Sequence, residues 1–184
     1  RLYMTIVSAL LAYLPGLPLG ILLIVTDKDG ICPMRLLNHI LGFIANFVRS
    51  VPFLILLIAV IPFTRFLVGT SVGSTATIVP LVLASAPFVA RMVESSLKEV
   101  DRGLVEAAQS MGAGPWQVVT KVLLPEAKPS LILNAAIAAT TILGYSAMSG
   151  FVGGGGLGTI SINYGFYRYQ SDVMLVTVLL LVVI

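Results

Sequence analysis

The sequence predicts an all-α polytopic membrane protein of about five transmembrane helices, with one polar loop outside the membrane. Three observations carry that expectation. Of 184 residues, 58% are hydrophobic and only 10% charged, against roughly 25% charged in a soluble globular domain. Apolar stretches long enough to cross a hydrocarbon core of about 30 Å, which takes about 20 residues, recur along the chain. Nine of the 19 charged residues fall between Glu94 and Lys128, so the polar part is confined to one segment.

The first span is Leu2 to Val25. Pro15, Gly16, Pro18 and Gly20 interrupt it, and a kink or break is expected there. Its opening reads as a membrane span and not as a cleavable leader. With Arg1 at the start and Ile184 inside an apolar run, both ends read as trimmed. Thr26 to Met34 is rich in turn residues. The apolar stretch from Leu36 to Val68 is too long for one simple span and carries Arg49, which insertion scales charge about 2.5–3.5 kcal/mol at mid-membrane. We therefore place Arg49 near a boundary or against protein, read 36–48 as an entry segment, and assign most of the span to 50–66, with a bend at Pro52. A turn over 69–74 leads to a third span, about Thr75 to Val93, whose exit is marked by Arg91 and Glu94. The fourth runs from Pro129 to Gly150 and is rich in the small residues that let membrane helices pack closely; Asn134 is expected to bond to a neighbouring helix. Thr159 to Ser171 reads as a loop whose Tyr164, Tyr167 and Tyr169 suit a membrane interface, and a fifth span begins at Asp172 and continues to Ile184.

Orientation follows from the positive residues. Lys28, Arg35, Lys98, Arg102, Lys121 and Lys128 lie on loops after spans one and three, whereas only Arg65 and Arg168 lie on the others. That asymmetry puts the polar loop in the cytoplasm. The same modest basic excess explains the net charge of +3, and no basic patch argues for nucleic acid.

Catalytic and metal chemistry find no support in the residues. Cys32 is the only cysteine and His39 the only histidine, so no intrachain disulfide and no thiol-based metal cluster is available. The carboxylates sit nearly all in polar loops. Gly150 to Gly158, GFVGGGGLG, is not a nucleotide loop, because the phosphate-binding pattern needs a lysine after its last glycine. Tight backbone packing is the expected role of these glycines.

Within the polar segment, Asp101 can cap a helix whose Leu104, Ala108 and Met111 recur at helical spacing. Gly112 suits the left-handed residue that ends it. Gly114 and Pro115 open a second helix, on which Trp116, Val119 and Leu123 would share a face and which Pro125 would stop. By periodicity alone this pair of helices reads equally well as an element lying flat on lipid.

Glu106-Ala107-Ala108, then Gly112 after three residues, then nine residues and Val122-Leu123-Leu124-Pro125, resemble the EAA loop of binding-protein-dependent ABC importer permeases. The one departure is Val122 where isoleucine is commoner. Short patterns along the rest of the chain look like the methionine-importer branch of that family: GLPLG from Gly16, RSVPF from Arg49, IPFTR from Ile61, APFVARMVE from Ala86, GYSAM from Gly144 and GGGLG from Gly154. The resemblance implies one permease domain over 1–184, containing a coupling loop at 98–128 that docks on a separate ATPase through Glu106, Ala107, Ala108, Gly112, Leu124 and Pro125. It implies a homodimer in the bacterial inner membrane, surrounded by lipid, with two ATPase subunits below and a methionine-binding lipoprotein above. Methionine would cross by alternating access, with no cofactor and no catalysis on this chain. Met148 is carried over as the external gate, with ordinary helix packing as the other reading of that residue. Two other functions remain: a related importer for polar amino acids or phosphonate, and a carrier or channel without an ATPase. The latter should show an intramembrane carboxylate or a charged pore ring, and the spans carry neither.

Overall fold

The computed structural model describes residues 2–183, so the expectations at Arg1 and Ile184 lie outside the described residues. Those residues form helices and turns: α1 (Leu2–Val25), α2 (Arg35–Ser50), α3 (Phe53–Ala59), α4 (Ile61–Val68), α5 (Ser74–Lys98), α6 (Arg102–Ser110), α7 (Pro115–Val118), α8 (Leu124–Glu126), α9 (Lys128–Met148), α10 (Gly156–Ile160) and α11 (Ser171–Val183). A π turn at Val119–Leu123 joins α7 to α8, and another at Ser161–Phe166 follows α10. By length and composition α1, α5 and α9 with its 3₁₀ extension are each able to cross a membrane; α2 and α3 make a bent fourth candidate, and α11 is a shorter apolar helix.

The structure bears on two expectations about the spans. The proline- and glycine-rich part of α1 does not break it, and the helix runs unbroken through Pro15 and Pro18. Residues 50–66 are not one uninterrupted helix: α2 turns through 100° into α3 around Pro52, where the bend was expected, and Val60 separates α3 from α4. Proline lacks the N–H that would continue the ladder of α2, so the bend sits there. The expected loop from Thr159 is also largely helical, through Phe166.

The chain packs as two compact units, and α1, α5 and α9 each contribute to both. One unit comprises 12–50 and 85–138. Its core is Val89, Val93 and Leu97 of α5 with Ala108, Val118, Val119, Leu123 and Ala127 of the polar segment and Ala12 and Ala138. Gly16 and Gly20 set α1 against α5: a Cβ on Gly16 would lie 2.7 Å from Val89 Cγ1, and one on Gly20 2.6 Å from the Ala90 carbonyl oxygen. Two glycines four residues apart thus let the backbones approach. As expected, Asn134 bonds to a neighbouring helix, its Nδ2 donating to Ser96 Oγ at 2.7 Å and to the Met92 carbonyl at 3.3 Å. Arg49 faces protein in part, its guanidinium lying 5.7 Å from the Phe88 ring centre.

The other unit comprises 1–11, 51–84 and 139–184. Phe53 stacks on Tyr145 at 4.7 Å, beside buried Leu57 and Leu81. The glycine run packs as expected: a Cβ on Gly150 would strike the Gly158 backbone, and one on Gly158 the Ala147 carbonyl. The Gly73 amide donates to the Gly153 carbonyl at 3.1 Å, which holds the run against the start of α5.

These contacts separate the glycines by role. Gly20→Ala should lower the thermal midpoint of the detergent-purified protein, because overpacking costs about 1–3 kcal/mol. Gly144→Ala, with nothing within 4 Å of its added Cβ, should leave the midpoint unchanged or raise it, since helical glycine is the poorer residue by about 0.5–1 kcal/mol. Equal shifts in the two variants would contradict this assignment.

Candidate functional site

The polar segment is built as two helices around a glycine elbow. Asp101 caps α6, its Oδ1 accepting the Gly103 amide at 2.7 Å. At the other end Gly112 takes φ +84°, while its amide donates to the Gln109 carbonyl at 2.9 Å and the Ala113 amide to the Ala108 carbonyl at 3.0 Å. This pair of bonds is the Schellman closure, which satisfies carbonyls that a helix end leaves open. Pro115 then starts α7, and Gln117 Oε1 accepts the Gly114 amide at 3.0 Å.

Pro125 does not stop this second helix. The π turn before it closes with the Leu124 amide bonded to the Val119 carbonyl, and the chain stays helical through Glu126. A widened turn relaxes the ordinary ladder where proline's missing N–H would interrupt it. The expected face also differs. Val118, Val119 and Leu123 are the buried set, and Trp116 is 76% exposed. Trp116 belongs to the first turn of α7, outside the core that Val118 and its neighbours enter. On α6 only Ala108 of the expected stripe is buried, whereas Leu104 is half exposed and Met111 protrudes.

The structure thereby brings together the two halves of the motif. Ala108 and Leu123 share one core, which fixes α6 against the π turn. Glu106 and Ala107, the two residues before Ala108 on α6, are exposed; Pro125 is exposed and Leu124 half-buried. Met148 belongs to the other unit, half exposed at the end of α9.

An ionic cluster at the root of this segment went unread in the sequence as a unit. Glu94, with its side chain 8% exposed, accepts from Arg91 Nη1 at 2.6 Å and from Lys98 Nζ at 2.8 Å. Lys98 Nζ also reaches Asp27 Oδ2 at 3.1 Å, Arg91 Nη2 donates to the Gly42 carbonyl at 3.0 Å, and Arg102 Nη2 lies 3.4 Å from Asp29 Oδ2. The spacing of Arg91, Glu94 and Lys98 along one helix face was a readable signal; their partners on the 26–34 turn and α2 were not, being distant in sequence. Partial burial alone would raise the Asp27 carboxyl, but the Lys98 ammonium and the Lys28 amide bonded to it outweigh burial and hold it below the ordinary aspartate value. A groove of about 450 Å³ runs beside the cluster, lined by Asp27, Asp29, Lys98, Arg102 and Glu106 among others. Among the described residues no group of His, Cys, Asp and Glu is placed to hold a metal ion.

Long apolar helices, one pair of them bent at a proline, and a single folded polar segment define a multi-pass membrane protein. Residues 16–184 match the model of the binding-protein-dependent transport system inner membrane component; the chain belongs to this family and is a multi-pass inner-membrane protein. It is 51% identical over 183 residues to the probable D-methionine transport system permease protein MetI of Vibrio cholerae, covering 100% of this chain and 81% of that one. It is 52% identical over 149 residues to the D-methionine transport system permease protein MetI of Escherichia coli K12, covering 81% and 69% respectively. Among solved structures, one of the inward-facing conformations of the MetNI methionine ABC transporter matches with a TM-score of 0.96 at 50% identity, over 99% of this chain and 84% of that chain. An amino acid ABC transporter matches at 0.68 and 18% identity and shares the fold alone.

The elbow makes a direct prediction. A β-branched residue at φ +84° is strained although its side chain has open space, at a cost of about 1–2 kcal/mol. Gly112→Val should therefore lower the thermal midpoint measurably, and Gly112→Asn, which tolerates the left-handed region, should lower it less. Equal midpoints for the two variants would refute the elbow's conformational requirement.

Proposed function

We propose that the chain is the permease subunit of an ATP-driven methionine importer, acting as a single domain over 1–184 with 98–128 as its cytoplasmic coupling loop. The observation that carries this reading is the exposed face of α6. Glu106 and the small Ala107 lie open there, flanked by protruding Met111 and, across the elbow, Trp116. On a segment otherwise anchored in the core, that arrangement suits docking into a groove, with short-helix side chains read at three- and four-residue spacing. The names of the relatives and of the MetNI structure supply the substrate and the kind of partner.

Two copies of the chain assemble side by side in the lipid bilayer, with two ATPase subunits on the coupling loops and a methionine-binding lipoprotein at the opposite face. The permease carries no cofactor and no catalytic residue; ATP hydrolysis belongs to the partner. Closure of the ATPase pair moves the coupling loops and switches access to the path between the two permeases. Ala108 and Gly112 shape the docking helix, and Leu124 and Pro125 belong to the helix that supports it. Met148, at the far end of α9, serves as the gate, a flexible thioether able to seal an apolar constriction and to yield to a similar side chain.

Reconstituted with its ATPase and binding protein, the complex should import labelled methionine and hydrolyse ATP faster when the binding protein is loaded. Ala107→Trp should abolish that stimulation while the chain still forms dimers, and Met148→Gly should admit methionine without ATP. Uptake of only a polar amino acid or a phosphonate would overturn the substrate assignment. Wild-type stimulation in Ala107→Trp would overturn the docking assignment.

A further inference from the structure

The turn between α1 and α2 is folded as firmly as a helix end. The Gly30 amide donates to the Asp27 carbonyl at 2.9 Å, that of Cys32 to the Val25 carbonyl at 2.9 Å, and that of Met34 to the Thr26 carbonyl at 3.1 Å. A Cβ on Gly30 would run into the Ile24 carbonyl, so the reversal closes tightly on the end of α1. Asn38 of α2 ties back as well, its Nδ2 donating to the Leu23 carbonyl at 2.6 Å and to Thr26 Oγ1 at 3.2 Å. The end of α1, the 26–34 turn and the start of α2 therefore form one bonded piece.

Two carboxylates project from that piece toward the root of the polar segment. Asp27 holds Lys98, the last residue of α5, and Asp29 holds Arg102, the first residue of α6. Lys98 is held from its other side by buried Glu94, which also fixes Arg91 and, through it, the Gly42 carbonyl of α2. All of these residues fall within one compact unit. The outer pair is exposed, with side-chain exposures of 76% for Arg102 and 49% for Asp29, and pairs of this kind contribute little to stability. Stability therefore does not account for the outer pair, which bridges the same two segments as Asp27 and Lys98.

We propose that Asp27 and Asp29 are positioning residues for coupling: they grip Lys98 and Arg102 at the root of the 98–128 loop and pass its displacement through the rigid 26–34 turn into α1 and α2. The inference rests on the coupling-loop reading of 98–128. Movement of α6 reaches α5 through the chain itself, and the acidic turn adds a second, ionic connection to the two preceding helices. Asp27 supplies the stronger grip, since Lys98 is held between it and a buried carboxylate.

The experiment is the number of methionine molecules imported per ATP hydrolysed, measured in proteoliposomes containing permease, ATPase and binding protein, with ATPase stoichiometry checked. In Asp27→Asn/Asp29→Asn the ATPase should remain bound and basal hydrolysis persist, while import per ATP falls about five- to tenfold, within the range of coupling between sites. Asp27→Glu should keep the wild-type ratio. Asp29→Arg alone should lower the ratio, and adding Arg102→Asp should recover most of the loss. An unchanged ratio in the doubly neutral variant, or no recovery in the exchanged pair, overturns the proposal. Should the doubly neutral variant fail to assemble, the exchanged pair at the exposed positions decides the matter. Ala107→Trp in the same assay separates the two ideas: if it uncouples and the acidic variants do not, only this proposal fails, whereas a silent Ala107→Trp removes the coupling-loop reading itself.

Discussion

The packing of the polar segment onto the end of α5 is the constraint on which the rest of the molecule depends. A segment of 35 residues, 94–128, with nine of the 19 charged residues would be a loose loop if its apolar residues had nowhere to go. Val118, Val119 and Leu123 are instead buried against Val93 and Leu97, and burial of each such side chain is worth about 1.5–3 kcal/mol. That burial fixes the second helix, Ala108 locks α6 to it, and the elbow at Gly112 sets the angle at which α6 leaves. What stays outside the core is the face carrying Glu106 and Ala107. The structure thus presents a rigid, outward-facing helix on a stem continuous with two membrane-crossing candidates, α5 and α9.

Electrostatics reinforces the same stem. Glu94 is buried at the end of α5 with a cation on each side. Removing one partner of a buried pair leaves an uncompensated charge, which is far costlier than the pair's net contribution to stability. The cluster therefore fixes geometry more than it adds stability, and it does so where a long apolar helix turns into a polar segment. Glycine contacts do the corresponding work along the helices, where Gly16 and Gly20 admit Val89 and Val93 at distances that no side chain would tolerate.

Much of this was legible in the residues, and the misses have physical causes. The limits of α1, the Asp101 cap, the Gly112 elbow and the start at Pro115 follow from local chemistry that operates within a few residues, and the structure agrees with each. Pro125 misled because a π turn relaxes the rule that proline ends a helix. Trp116 misled because helical periodicity describes a face but not where the core stops. The bend at Pro52 was readable as a bend, but its 100° angle was not, since packing and not the proline sets the angle. The pairing of Asp27 with Lys98 and of Asp29 with Arg102 joins residues more than seventy positions apart, which no local pattern encodes. The docking role proposed for Glu106 and Ala107 came from a motif, and the structure adds that these residues are exposed while their neighbour Ala108 is not.

The central claim is that the exposed face of α6 is covered by an ATPase subunit in the working complex. In a Cys32→Ser background, which removes the single native thiol, Met111→Cys places a reporter at a position 82% exposed in the isolated chain. The most direct measurement is the labelling rate of that thiol by a membrane-impermeant maleimide, in the permease alone and in its complex with the ATPase. The account predicts rapid labelling of the free permease and strong protection in the complex, with a control cysteine at Tyr169 on the other unit labelled equally in both. Equal labelling of Met111→Cys in the two preparations would contradict it.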